Sequence, residues 1–208
     1  MTNIFLRAKH WQLFMPMIGI PLLSQIYMYA KIWIIESTPV VVESNEGFTQ
    51  VLEEKFIQFD WYPFILLLFS LLLFGWLWAL GIGLQKWLPA EIKMKTVRFK
   101  IFFFIPLVYI LFIINSMSGI FTGNGNVFFK NLGTIVAVIV PLHLFSMFCI
   151  FHTIYFAAKT IKTVELKRKV GFGDFIGEFF LLWFYFIGIW VIQPKVNNLY
   201  KKYNQTFN

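Results

Sequence analysis

Five uncharged, strongly apolar runs, at 11–30, 61–85, 101–129, 131–158 and 179–194, divide this chain of 208 residues and leave little room for anything else. A helix that crosses roughly 30 Å of hydrocarbon needs about 20 mostly apolar residues, and the first four runs reach that length. Backbone groups in lipid must find partners inside their own segment, which restricts such spans to helices in a chain like this. The pattern predicts an all-α, polytopic transmembrane helix bundle: a single integral membrane domain over 1–208. The expected spans are 11–35, 61–86, 101–121 and 132–158, with a fifth, shorter membrane-embedded segment at 175–193.

Charge placement sets the expected orientation. Only 13% of the residues are charged, and phenylalanine alone contributes 27. Soluble domains carry roughly 25% charged residues. Arg7 and Lys9 precede the first run, and the 36–60 connection is acidic. The 86–100 connection is basic through Lys86, Lys93, Lys95, Arg98 and Lys100, as is 159–174 through Lys159, Lys162, Lys167, Arg168 and Lys169. Because Lys and Arg collect on the cytoplasmic side, the N-terminus and both basic connections are expected to face the cytoplasm. Topology thus accounts for the net charge of +8, and no nucleic-acid partner is expected. The lone Cys149 excludes an intrachain disulfide.

The fifth segment breaks the alternation. Its uncharged part, Phe179–Pro194, is about 24 Å long at 1.5 Å per residue, short of the hydrocarbon thickness. Two readings follow: a short tilted span, or a re-entrant or interfacial hairpin that returns the tail to the side it came from. The hairpin places all of the 18 basic residues except Lys31, Lys55 and Lys130 on one side. Re-entrant backbone is tolerated only where protein shelters it, so this reading asks the bundle to cover the segment.

Local patterns add detail. Trp11, Trp33, Trp61, Tyr62 and Trp87 bracket the first two spans as interfacial anchors. Gly75, Ala79 and Gly83 form a small-residue face on the second span, suited to close packing inside the bundle or to a homodimer seam. Pro16, Pro21, Pro106 and Pro141 are expected to kink three other spans. Residues 49–60 read as a short amphipathic helix resting on the outer membrane boundary or on a partner. The 159–170 stretch continues the fourth helix; its basic residues serve topology alone or recognise a lipid headgroup or a partner, and Lys167, Arg168 and Lys169 are the candidates for anionic-lipid contact, worth about 1 kcal/mol per charge near the surface.

The chemistry-bearing residues are few. Asp174 and Glu178, four apart, would share a helical face, where paired carboxylates hold a cation or relay protons. The competing reading makes Asp174 the N-cap of the fifth helix, with both charges facing the positive end of its dipole. His143, Cys149 and His152 lie on the fourth span, but two ligands on one face do not make a zinc site, and a packing hydrogen bond is expected for each histidine. Gln25, Asn115, Ser116 and Ser118 are the polar residues inside spans, lining either a polar path or helix–helix hydrogen bonds. No catalytic residues, cofactor site or metal site are expected from these patterns.

Two stretches carry a resemblance. Phe5-Leu-Arg-Ala-Lys-His-Trp-Gln-Leu-Phe14, together with Gly173-Asp-Phe-Ile-Gly-Glu-Phe-Phe-Leu-Leu-Trp183 and Ile187-Gly-Ile-Trp-Val-Ile-Gln-Pro-Lys195, resembles a group of small multi-pass membrane proteins of Bacteroidota-type bacteria. The resemblance covers about a quarter of the chain, at its ends, and implies a bacterial inner-membrane location without implying an activity. Lys9-His10-Trp11 and Trp190 with Gln193-Pro194-Lys195 further suggest that the two ends pack together at the cytoplasmic face. A cysteine pair at Gln12 and Gln193 would cross-link if they do.

Two classes of function lead. One is a non-catalytic subunit or scaffold that binds another membrane protein, or a second copy, within the lipid bilayer. The other is a small transporter, channel or lipid-handling protein, which requires Gln25, Asn115 and Glu178 to meet at a water-accessible cavity. A membrane enzyme, the third class, requires Asp174, Glu178 and His152 to converge.

Overall fold

Four apolar segments become helices long and apolar enough to cross a membrane: His10–Lys31, Tyr62–Trp87, Thr96–Asn115 and Val136–Leu166. The computed structural model describes residues 2–37, 62–118 and 135–205. In chain order the helices are α1 (Thr2–Arg7), α2 (His10–Phe14), α3 (Ile20–Ser37), α4 (Tyr62–Gly81), α5 (Thr96–Ser118), α6 (Val140–Leu166), α7 (Phe172–Trp183) and α8 (Tyr185–Gln205). No strand occurs among the described residues, so the molecule is an all-α bundle. The amphipathic stretch expected at 49–60, Trp61, and the side chains of Ser116 and Ser118 lie outside the described residues.

The prolines act through the turns beside them. A proline lacks its N–H, and its ring crowds the carbonyl four residues back. Ahead of Pro21 the helix widens into a π-helical turn, Met15–Gly19, where the Ile20 N–H donates to the Met15 carbonyl. A second π-helical turn, Ile135–Ile139, precedes Pro141. Both turns hold the carbonyl that would otherwise clash, that of Met17 or Ala137. Pro106 stands inside α5 and Pro194 inside α8 without ending either helix.

α6 is the central element, packed on α4, α5 and α7. It runs on past residue 158 to Leu166, as the continuing pattern predicted. It ends where Lys167 adopts the left-handed conformation, φ 52°, and its N–H returns to the Thr163 carbonyl at 2.9 Å. That geometry normally favours glycine, so Lys167 holds a mildly strained C-terminal cap.

The C-terminal segment folds as a helical hairpin. α7, at 12 residues, is about 18 Å long and too short to span. At Phe184 the backbone leaves helical geometry (ψ 58°), and α8 runs back along α7. Gly188 makes the turn possible: a β-carbon there would land on the Leu181 carbonyl. Of the two readings of 175–193, the chain adopts the hairpin.

The hairpin brings the C-terminal helix onto the N-terminal segment. The His10 and Phe14 rings pack on Trp190 at 4.6 and 5.3 Å between centroids. Gln193, fully buried, donates from Nε2 to the carbonyls of Phe5 (2.8 Å) and Ala8 (2.7 Å). Its Oε1 accepts from the Trp76 indole N–H at 2.9 Å. One turn further along α8, Asn197 donates to the Leu6 and Ala8 carbonyls. These carbonyls belong to the last turn of α1 and the residue after it, which have no helical partner. The two chain ends therefore pack together, with two amides of α8 serving as the C-cap of α1.

The small-residue face of α4 is occupied by α1. A β-carbon on Gly75 would meet the Phe5 ring at 2.6 Å, and one on Gly83 would meet Thr2 and Leu6 at 3.1 and 3.2 Å. Ala79 between them is fully buried. Of the two uses open to this face, close packing within the chain is the one observed. The main core (Leu6, Trp76, Leu80, Leu84, Ile161 and Phe175 among it) lies where α1, α4, α6, α7 and α8 meet. A smaller cluster of Phe74, Phe99, Phe103 and Phe156 joins α4 and α5 to α6.

One expected anchor has another role. Trp87 is buried, stacked on Tyr203 at 5.3 Å and set edge-on to Tyr200, because the return of α8 brings both tyrosines over it. Trp11 and Trp33 are exposed, as interfacial rings are.

Candidate functional site

The hairpin gathers the charged residues at one end of the bundle. There the last turns of α6 carry Lys162 and Glu165, α7 carries Glu178, and α8 carries Lys195. Lys162 Nζ lies 2.9 Å from Glu165 Oε2 and 3.1 Å from Glu178 Oε1. Lys195 Nζ lies 2.7 Å from each of the same two oxygens. Two cations and two carboxylates thus alternate around a closed square that ties three helices together. Glu178 is its most enclosed member, with 9% of its side chain accessible. Burial of one carboxylate is tolerated here because two ammonium groups reach it and the four charges cancel.

Asp174 takes a different place from the one its spacing suggested. Gly171 is the N-cap of α7, and Asp174 stands at the third helical position, accepting from the Gly171 N–H at 2.8 Å. Glycine has no side chain with which to cap, so the acid three residues on reaches back instead. Arg168 donates to both Asp174 oxygens, at 2.8 and 3.3 Å. The guanidinium beside it, and then the Gly171 N–H, hold the Asp174 carboxyl below the usual aspartate range. Asp174 and Glu178 share a helix yet serve separate partners, and the end of the helix dipole is not what holds Glu178.

The other predicted residues disperse. Gln25 donates to the Tyr62 hydroxyl at 2.9 Å, joining α3 to the first turn of α4. Asn115 is half-buried and lies about 26 Å along α5 from Arg98. Gln25 and Asn115 thus belong to the half of the bundle away from Glu178. His143 meets the Tyr109 hydroxyl at 3.2 Å, the packing hydrogen bond expected of it. His152 departs from that expectation: its ring stacks on Phe102 at 4.2 Å, and its buried Nδ1 has no hydrogen-bond partner among the described residues. Asp174, Glu178 and His152 therefore make no common set of contacts, and Cys149 is buried as a free thiol. Among the described residues no group of three or more His, Cys, Asp or Glu side chains is placed to hold a metal ion.

The three basic residues after α6 also part company. Arg168 is engaged by Asp174, and Lys167 extends over the Tyr203 ring, 5.2 Å from its centroid. Lys169 turns to a cavity of about 460 Å³ between α6, the start of α5 and the connection before it. Lys93, Lys95, Arg98, Lys159 and His152 line the same cavity. The sequence marked Lys93, Lys95, Arg98 and Lys159 for topology, Lys169 for anionic-lipid contact and His152 for a packing hydrogen bond. Their convergence depends on how α5 and α6 pack, and no local spacing announces it. The ionic square was half visible in the Lys162/Glu165 spacing of three, while Lys195 enters only through the hairpin.

Together the helices and their charged end define a membrane-type all-α bundle. No family model, curated protein or solved structure matches the chain.

Proposed function

We propose that this chain is a non-catalytic integral membrane protein that acts as a subunit or scaffold of a membrane complex. In this reading it sits in a bacterial inner membrane, with N-terminus, C-terminus and both basic connections in the cytoplasm. Placement of the basic segments at one end of the bundle supports the orientation. The observation that carries the function is the engagement of the acids: Glu178 and Glu165 are closed into a square with Lys162 and Lys195, and Asp174 with Arg168. These groups hold helices together, which is what a scaffold needs and a proton relay does not. Meanwhile α3 and the first half of α6 turn large apolar side chains outward, among them Leu22, Leu23 and Ile26 on one and Leu144, Phe145 and Phe148 on the other. Such faces suit lipid tails or the helices of a partner.

Gentle extraction of the tagged protein from its native membrane, with mass spectrometry of what accompanies it, tests this reading. A stoichiometric membrane protein supports it. Recovery of the chain alone, or with one enriched lipid, overturns it in favour of the lipid-handling class, a reading that the basic cavity favours.

A further inference from the structure

Several cations at this end of the bundle have acidic partners. Lys162 and Lys195 meet Glu165 and Glu178, and Arg168 meets Asp174. The cavity beside α6 is the exception. Lys93, Lys95, Arg98, Lys159 and Lys169 line it, and none of its lining residues is acidic. Among the described residues none of these five is in an ion pair; Lys159 is half-buried and the other four are exposed. Membrane topology requires basic residues on this side of the bundle. It does not require five of them, drawn from α5, α6 and two connections, to surround one space. Like charges brought together repel; water around the four exposed side chains weakens that repulsion, and an anion in the space between them relieves it further.

The remaining walls narrow the class of anion. Met94, Tyr155, Phe156 and Val170 give the cavity an apolar side, and Lys159 Nζ lies 5.9 Å from the centroid of the Tyr155 ring. His152 also stands in this wall, its Nδ1 enclosed by protein. The volume of about 460 Å³ exceeds what a bare ion needs and suits a phosphate with an organic substituent. The site also lies at the basic ends of two spans, α5 and α6, the level at which phospholipid headgroups sit.

We propose that this cavity binds a phosphate-bearing anion, supplied by the membrane as the headgroup of an anionic phospholipid. The cations hold the phosphate oxygens by charge-assisted hydrogen bonds, and the apolar wall receives the start of the lipid's hydrocarbon. The proposal goes beyond the subunit reading and stands whether or not a partner protein is found.

The test uses the full chain in neutral detergent, titrated separately with phosphatidylglycerol, phosphatidylcholine and inorganic phosphate. Thermal melting and native mass spectrometry read the binding. One variant carries Lys95→Gln, Arg98→Gln and Lys159→Gln; a control removes equal charge outside the cavity with Lys9→Gln, Lys100→Gln and Lys201→Gln. Phosphatidylglycerol should bind the wild type in preference to phosphatidylcholine, and the cavity variant should lose at least about tenfold in affinity, against less than about threefold for the control. If phosphate binds with the same sensitivity to the cavity variant while phosphatidylglycerol does not, the anion is a soluble phosphate and the site stands with that source. Equal weakening by both variants, or no preference for either phosphate-bearing anion over phosphatidylcholine, overturns the proposal. Neutralising a repulsive cluster should leave the ligand-free variant melting no lower than wild type. Should the triple variant fail to fold, Lys95→Gln alone is judged against Lys100→Gln, with a loss of about fivefold expected for the first only.

Discussion

Replacing Gln193 with leucine removes an amide that is fully buried and makes three hydrogen bonds: to the Trp76 indole and to the carbonyls of Phe5 and Ala8. Leucine fills nearly the same space, so the cost comes from the groups left behind. The Ala8 carbonyl retains Asn197 at 3.1 Å. The Trp76 N–H and the Phe5 carbonyl lose their partner, and each orphaned buried group costs about 1–3 kcal/mol. Cross-helix hydrogen bonds in membrane proteins average about 0.6 kcal/mol, because the unfolded chain in lipid also finds partners. Two orphans at the low end of the first range give an expected loss of about 2–3 kcal/mol. Trp76→Phe removes the donor alone and should cost about 1 kcal/mol beyond its packing loss. The double variant should recover about 1 kcal/mol relative to the sum, since one orphan disappears. Equilibrium unfolding of the four proteins in mixed micelles measures all these terms. A Gln193→Leu protein within about 0.5 kcal/mol of wild type refutes the bridge between the chain ends, and an additive cycle refutes the bond between Trp76 and Gln193.

Further perturbations probe the other joints of the bundle. Gly188→Ala drives a β-carbon onto the Leu181 carbonyl, a backbone atom that no rotamer change can move aside, so a loss of about 3 kcal/mol or more is expected from the unfolding midpoint. Gly75→Ala should displace the Phe5 ring and loosen α1, read as faster labelling of a cysteine placed in that helix, and Phe5→Leu should restore protection. Glu178→Gln leaves Lys162 and Lys195 sharing Glu165 alone, for a loss of about 2–3 kcal/mol given the partial solvent access of the square; adding Lys162→Met should recover part of it by restoring the charge balance. The lowered Asp174 carboxyl contributes stability that is present above its unfolded value of about 4 and lost as pH falls through the lower folded value. Wild type and Asp174→Asn should therefore differ in melting temperature at pH 7, and the difference should shrink as pH falls below about 4; a difference that does not change with pH contradicts the Arg168 pairing.

What was legible in the sequence follows from how far along the chain each interaction reaches. The four spans were readable because hydrocarbon thickness imposes a length on any apolar run, with no reference to neighbours. The continuation of α6 past residue 158 was readable in the same way, from unbroken helical residues. The hairpin at 175–193 could only be posed as an alternative, since its decisive element is the approach of Gly188 to Leu181, a contact made in the folded chain. Once that turn closes, other placements follow from it. Lys195 comes back to Glu178, Trp87 disappears beneath Tyr203, and Gln193 reaches the carbonyls of the N-terminal turn. Asp174 and Glu178 looked like a pair because their spacing is helical, yet each found a basic partner that sequence proximity alone did not single out: Arg168 for one, Lys195 for the other. The basic cavity is the extreme case. Each of its lysines is explained individually by topology, and only the packing of α5 against α6 turns that list into a concave site of one sign. Charge excess written along a sequence sets which side of the membrane a segment occupies; the same excess, folded around a space without a carboxylate, becomes a demand for an anion.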